Sequence, residues 1–207
     1  MRMVWSSRSC GEIMLISRDD ILPMVEFSKI RRAKRQELLV IKKDRRVPVG
    51  PDATFYFENY DTMWFQIHEM LFIEQGGEEQ IEGELEAYNP MIPNGSELVA
   101  TLMFEINDQS RRTKLLAELG GVEKMVTLRF AEHVIPGRPE GDVNRSTSEG
   151  KASSVQFLHF KFSKMQIVAF RELENEVVIG LEHPSYGHRA VLPRATQLAL
   201  SADFEPL

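Results

Sequence analysis

Two histidines near the C-terminus are the residues best suited to chemistry, because imidazole is the commonest metal ligand in proteins. His183 and His188 flank residues 184–187, whose composition is typical of a turn between two strands. In a hairpin the two rings could face one another, with a third ligand from His159, His133 or a glutamate. Iron, zinc and manganese are the candidate ions. The alternative is two solvated histidines at the edges of a loop.

A third histidine lies in an apolar stretch that predicts a central helix. Asn59 or Asp61 can cap this helix, and His68 falls one turn from both Trp64 and Phe72. A histidine among aromatic rings is either neutral and satisfied by a hydrogen bond, or has a ligand or proton-transfer role. A further interpretation is a small-molecule sensor whose pocket lies between the two halves of the chain, around Trp64 and His68.

Basic residues concentrate in a second predicted helix, over residues 17–43. The candidate docking residues for an acidic partner are Arg31, Arg32, Arg35 and Lys42. The alternative is a solvated face whose cations pair with carboxylates of the same chain. Nucleic acid is not favoured as the partner, because no aromatic side chains are interleaved among the basic positions.

Two weaker candidates lie in the second half of the chain. Alternation along the predicted strands places Glu105, Arg129 and His159 on one sheet face, where they could cluster. The segment 131–151 is long for a loop in a compact domain, so we expect a lid, a partner-binding loop or disorder. Arg138 and Arg145 could bind an anion there.

Composition excludes several classes of protein. The chain has 207 residues, 43% apolar residues and a net charge of −6, which is typical of a globular protein without general attraction to nucleic acid or anionic membrane. A single cysteine, Cys10, allows no intramolecular disulfide and fits a reducing cytoplasm. No segment has the roughly 20 apolar residues of a membrane span. The motifs of phosphate-binding loops, serine hydrolases and zinc proteases are absent.

The order of predicted elements indicates an α+β fold. Residues 98–130 and 155–181 each read as strand–helix–strand. Two such units predict a ferredoxin-like β-α-β-β-α-β sheet, packed against a helical N-terminal half. We therefore expect a flexible extension (1–15), a mainly helical subdomain (16–95) and an α+β sheet subdomain (96–207), the last two forming one compact unit.

Four phrases of the sequence resemble an uncharacterised bacterial family known as a domain of unknown function. They are FENYDT (57–62), QIHEML (66–71), ELEAYNPMIP (84–93) and EHPSY (182–186). The resemblance runs from about Ile16 to the C-terminus and implies a cytoplasmic bacterial protein. Members of this family are often encoded beside a rubrerythrin-like protein and an iron–sulfur oxidoreductase, which suggests redox or peroxide-stress metabolism.

These observations lead to one main functional hypothesis and two rivals. The main hypothesis is a cytoplasmic accessory or interaction protein of a redox system that docks an acidic partner through its basic helix. The first rival is a metal-binding protein or metal-dependent oxidoreductase that uses the histidine pair. The second rival is the small-molecule sensor, and a homodimer is also a candidate assembly.

Overall fold

The computed structural model describes residues 15–140 and 152–206. Within these ranges the helices are α1 (Met24–Lys43), α2 (Tyr60–Glu74), α3 (Ile81–Tyr88), α4 (Gln109–Glu118), α5 (Lys164–Arg171) and α6 (Arg194–Ser201). The strands are β1 (Arg46–Val49), β2 (Ala53–Phe57), β3 (Glu97–Phe104), β4 (Val126–Phe130), β5 (His133–Pro136), β6 (Arg138–Pro139), β7 (Val155–Lys161), β8 (Val177–His183) and β9 (Tyr186–Val191). The fold is α+β, as the sequence predicts.

The strands form two antiparallel sheets that share one hydrophobic core. Sheet A has the order β1-β2-β3-β7-β6, and sheet B has the order β5-β4-β8-β9. Alternate residues of both sheets point into the core, as the pleat requires. Leu98 pairs with Phe160 and Ala100 pairs with Leu158 on the core face of sheet A. Apolar residues of β4 and β8, and of α5 and α6, complete this core.

The ferredoxin-like sheet is not confirmed. Its two leading strands, β3 and β7, do pair with each other. The two closing strands, β4 and β8, instead pair with each other in sheet B. Sheet A also takes β1 and β2 from the first half of the chain, so its strands come from both sides of residue 95. The two predicted strand–helix–strand units therefore contribute one strand pair to each sheet.

Helices cover the second face of sheet A. Val99 and Phe157 on that face pack with apolar residues of α2 and α3, including Ile67 and Leu85. Helix α1 lies against α2, and its buried Phe27 and Leu38 pack with Phe65, Trp64 and Phe72. Helix α2 is therefore packed on two sides, which explains why its apolar residues extend beyond a single stripe.

A local capping signal sets the start of α2. Asn59 caps α2, because its Oδ1 atom accepts the Thr62 N–H at 3.0 Å. The helix ends at Gln75, which adopts the left-handed conformation (φ 55°) immediately before Gly76. Residues 18–20 form a separate 3₁₀ turn, and α1 begins after Pro23 rather than at Ser17.

Some predictions concern segments outside the described residues. The expected extension over residues 1–15 falls there except for Leu15, and so does Arg145 of the predicted 131–151 loop. The described part of that loop contains β5 and β6, so residues 133–136 and 138–139 are strands rather than loop. Within the described residues, no helix has both the length and the apolar character needed to cross a bilayer.

Candidate functional site

Helix α1 presents one exposed side, which we call the α1 outer face. Its residues recur every three or four positions and so lie along one side of the helix. They are Val25, Lys29, Arg32, Arg35, Gln36, Leu39, Val40 and Lys43, all of them exposed. With a rise of about 1.5 Å per residue, this face is about 27 Å long.

The cations of the α1 outer face have no ion pair within the described residues. The side chains of Lys29, Arg32, Arg35 and Lys43 form no ion pair or hydrogen bond with any residue of 15–140 or 152–206, although the charge of Arg35 acts on Glu69. The Glu37 carboxylate of α1 forms an ion pair with Lys34, with 2.8 Å between Oε2 and Nζ. The predicted pairing of this basic face with the protein's own carboxylates therefore does not occur at these four side chains within the described chain.

Exposed aliphatic side chains accompany these cations. Val25 is 70% exposed, Leu39 57% and Val40 71%, and all three belong to the α1 outer face. Leu39 and Val40 are neighbours, whereas Val25 lies about 21 Å away along the helix. Contiguous exposed apolar area, as at Leu39 and Val40, is typical of interaction surfaces. The helix contributes no aromatic ring to this face, since its phenylalanine, Phe27, is fully buried. The α1 outer face therefore combines positive charge with apolar area.

Two of the four predicted docking residues, Arg31 and Lys42, are only partly exposed. Arg31 donates two hydrogen bonds to Glu69 of α2, at 2.6 and 2.8 Å, and its guanidinium lies 4.5 Å from the Phe72 ring centroid. The hydrogen bonds from Arg31 lower the pKa of Glu69, with a smaller contribution from Arg35. Lys42 is half-buried. Arg31 therefore joins α1 to α2, and the accessible pair is Arg32 and Arg35.

The structure separates the predicted histidine pair. The β8–β9 turn consists of two residues, and His183 lies opposite Tyr186 while His188 lies opposite Leu181. His183 is buried, and its Nδ1 atom accepts the Ser185 N–H at 3.2 Å. His188 is exposed, with its ring against Tyr186 at 4.6 Å between centroids. The two imidazoles are therefore not a cross-strand pair.

The other proposed metal ligands have separate surroundings. His133 begins β5, where its ring lies 5.5 Å from that of Phe130. His159 lies between two carboxylates: its Nδ1 atom is 3.2 Å from Glu97 Oε2 and its Nε2 atom is 2.9 Å from Glu140 Oε2. Because these atoms lie on opposite edges of the ring, His159 and both carboxylates cannot converge on one ion. Across the described chain, no three His, Cys, Asp or Glu side chains are placed to hold a metal.

Hydrogen bonding favours the charged form of His159. Burial disfavours the imidazolium, but the hydrogen bonds and charges of Glu97 and Glu140 outweigh that effect and raise the pKa of His159 above its ordinary value. The predicted cluster of Glu105, Arg129 and His159 does not form. Glu105 accepts hydrogen bonds from Thr54, Tyr56 and Arg46, and Arg129 donates to Glu182.

His68 has a neutral, fully bonded ring. The Leu22 N–H donates to Nε2 at 3.0 Å, so the ring proton is on Nδ1, which donates to the Trp64 carbonyl at 2.7 Å. Burial lowers the pKa of His68. The centroid of its ring lies 3.8 Å from that of Trp64 and 4.9 Å from that of Phe27. Trp64 Nε1 donates to the Asp20 carbonyl at 2.9 Å. These bonds attach residues 20–22 to α2.

Sequence reasoning missed two features of these sites. The aliphatic residues Val25, Leu39 and Val40 share the period of the basic residues, so a helical projection could have placed them on the same face. The carboxylates that bind His159 lie 62 and 19 residues from it along the chain. No local pattern connects residues at such separations.

Comparisons with known proteins support the resemblance seen in the sequence. A crystal structure of a protein of unknown function from Burkholderia pseudomallei is similar, with 32% identity and a TM-score of 0.86, over 93% of this chain and 100% of that chain. No curated protein matches the chain. A family model described as "Protein of unknown function (DUF3501)" matches residues 15–204. Because that match spans most of this chain, the chain belongs to the DUF3501 family.

Proposed function

We propose that this protein is an accessory interaction protein that docks an acidic protein partner on the α1 outer face. The observation that carries the proposal is the set of four cations without ion pairs in the described chain, interleaved with three exposed aliphatic residues on one helix. Positive side chains steer an acidic partner toward the face, and desolvation of the aliphatic residues then stabilises the complex.

Charge argues for a different protein rather than a second copy as the occupant. The α1 outer face is positive within a chain whose net charge is −6. Two copies that met through this face would oppose cation to cation, which destabilises an interface. A homodimer, if one forms, is therefore expected to use another surface.

The partner class that we propose is a redox protein. The family resemblance suggests a rubrerythrin-like protein or an iron–sulfur oxidoreductase, and hence a role in cytoplasmic redox or peroxide-stress metabolism. The rival metal-binding function gains no support from the surroundings of His183 and His188, and the sensor function gains none from those of Trp64 and His68.

The test is a charge reversal at the two accessible arginines. We expect R32E/R35E to weaken binding to the purified rubrerythrin-like protein or iron–sulfur oxidoreductase by at least about tenfold, and to reduce the dependence of Kd on salt. The matched control is K114E/K124E, which makes the same change in net charge at two exposed lysines outside α1. Titration calorimetry at low and high salt measures both quantities.

The outcomes separate the surface from the partner class. Equal weakening by R32E/R35E and by K114E/K124E would indicate a general effect of charge and would refute docking on the α1 outer face. Tight binding that R32E/R35E leaves unchanged would refute it as well. An absence of binding to either redox protein would refute the proposed partner class. A further variant, L39S/V40S, tests the apolar part of the face without a change in charge.

A further inference from the structure

Strand β6 is a short edge strand with few backbone contacts. It contributes two register pairs to sheet A, Arg138 with His159 and Pro139 with Leu158. The next residue, Glu140, donates its N–H to the Phe157 carbonyl at 3.0 Å. Proline lacks an N–H group, so β6 cannot form a full hydrogen-bond ladder with β7. The residue before β6, Gly137, donates its N–H to the Val126 carbonyl at 2.9 Å, so the backbone of this edge is held at Gly137 and Glu140 but only weakly along β6 itself.

Side chains add a second attachment at the same place. The His159 ring, 14% exposed, connects Glu97 at the start of β3 with Glu140 immediately after β6. Donation to both carboxylates requires a proton on each ring nitrogen, which only the imidazolium has. The full attachment therefore exists when His159 is charged.

We propose that His159 is a proton-dependent clasp that holds edge strand β6 on β7. This inference stands independently of docking on α1. When the ring loses a proton, one nitrogen presents a lone pair to a carboxylate, and that contact becomes repulsive. Glu97 is 7% exposed and Glu140 is 27% exposed, so Glu140 is the carboxylate that water can solvate at lower cost. Glu140 is therefore the one that leaves.

The charged groups around the ring belong to three strands. Glu97 on β3 and Glu140 after β6 favour the imidazolium. Arg138 on β6 lies opposite His159 in the register, and Lys161 of β7 lies opposite Glu97; both basic side chains are exposed. Release of β6 leaves backbone groups of β7 unpaired, and an unpaired strand edge can accept an added strand from another chain.

The sign of the pH dependence follows from the raised pKa of His159. The stabilisation by the clasp is fully present below the ordinary histidine pKa of 6.5. It is lost as pH rises through the higher pKa that His159 has in the folded protein. The ring nitrogen shifts of His159 report this titration by NMR. Hydrogen exchange of the residue 140 amide, corrected for the intrinsic exchange rate at each pH, reports the attachment of β6.

We expect the protection of that amide to fall by on the order of tenfold across the titration of His159, the size expected for loss of one hydrogen bond to a charged group. In E140Q the pKa of His159 falls, and the pH dependence of protection weakens. The matched control E132Q changes an exposed glutamate that does not contact His159, and it leaves both the pKa of His159 and the pH dependence of protection unchanged. Protection that stays constant while His159 titrates in the wild-type protein would overturn the proposal. An unshifted pKa of His159 in E140Q would overturn it too.

Discussion

A single hydroxyl group, that of Tyr186 on β9, holds the turn between β1 and β2. It accepts the N–H groups of Asp52 and Ala53 at 2.9 and 3.0 Å and donates to the Val49 carbonyl at 2.9 Å. Burial raises the pKa of Tyr186, so the hydroxyl keeps the proton that it donates. The substitution Y186F removes this one oxygen and leaves the buried ring, which is in edge contact with Phe104.

The cost of Y186F follows from what each backbone group retains. Val49 and Ala53 lie directly opposite one another in the β1–β2 register, so their backbone groups can still pair. Among the described residues, the Asp52 N–H has no other hydrogen-bond partner. One buried amide left unpaired costs about 1–3 kcal/mol, so we expect Y186F to destabilise the protein by about 2 kcal/mol. For a chain of this size, that corresponds to a decrease in Tm of about 4–8 °C.

Calorimetry and urea unfolding of Y186F and of a matched control, Y56F, test this reasoning. The Tyr56 hydroxyl donates to Glu105 at 2.7 Å near the surface, where water can replace it. We therefore expect Y56F to cost less than about 1 kcal/mol. The reasoning would be refuted if Y186F were as stable as the wild-type protein, or if both variants lost the same free energy of unfolding.

Three further substitutions test the packing of α1 and α2. N59A removes the cap of α2 and is expected to cost about 1 kcal/mol in urea unfolding; an unchanged midpoint would contradict this role. F27A empties the site between Trp64 and Phe72 and is expected to cost about 3–5 kcal/mol, whereas a loss below about 1 kcal/mol would mean that α1 is loosely packed. Because the pKa of Glu69 is lowered, its contribution to stability is present above the ordinary glutamate pKa of 4.5 and is lost as pH falls. The variant E69Q should therefore lose less stability than the wild-type protein between neutral and acidic pH, as measured by Tm against pH. The same dependence of Tm on pH in both proteins would refute this.

The α1 helix shows how far local sequence patterns can reach. Helical spacing predicted the helix, and the density of lysine and arginine predicted a positive surface. The pattern did not distinguish Arg31, which binds Glu69, from Arg32, which is exposed. Adjacent residues point about 100° apart on a helix, so the position of α2 decides which of them is buried.

The sequence by itself determined the α+β class, the capped central helix and the basic helix, because each depends on propensities and periods that act over a few residues. Only the tertiary structure decided that β4 and β8 pair in a second sheet, and that His183 lies opposite Tyr186. It also decided that His159 contacts Glu97 and Glu140. Strand pairing and register join residues far apart in the chain and are selected by the packing of the whole core. Several pairings satisfy the same alternating pattern, so that pattern does not specify the partner.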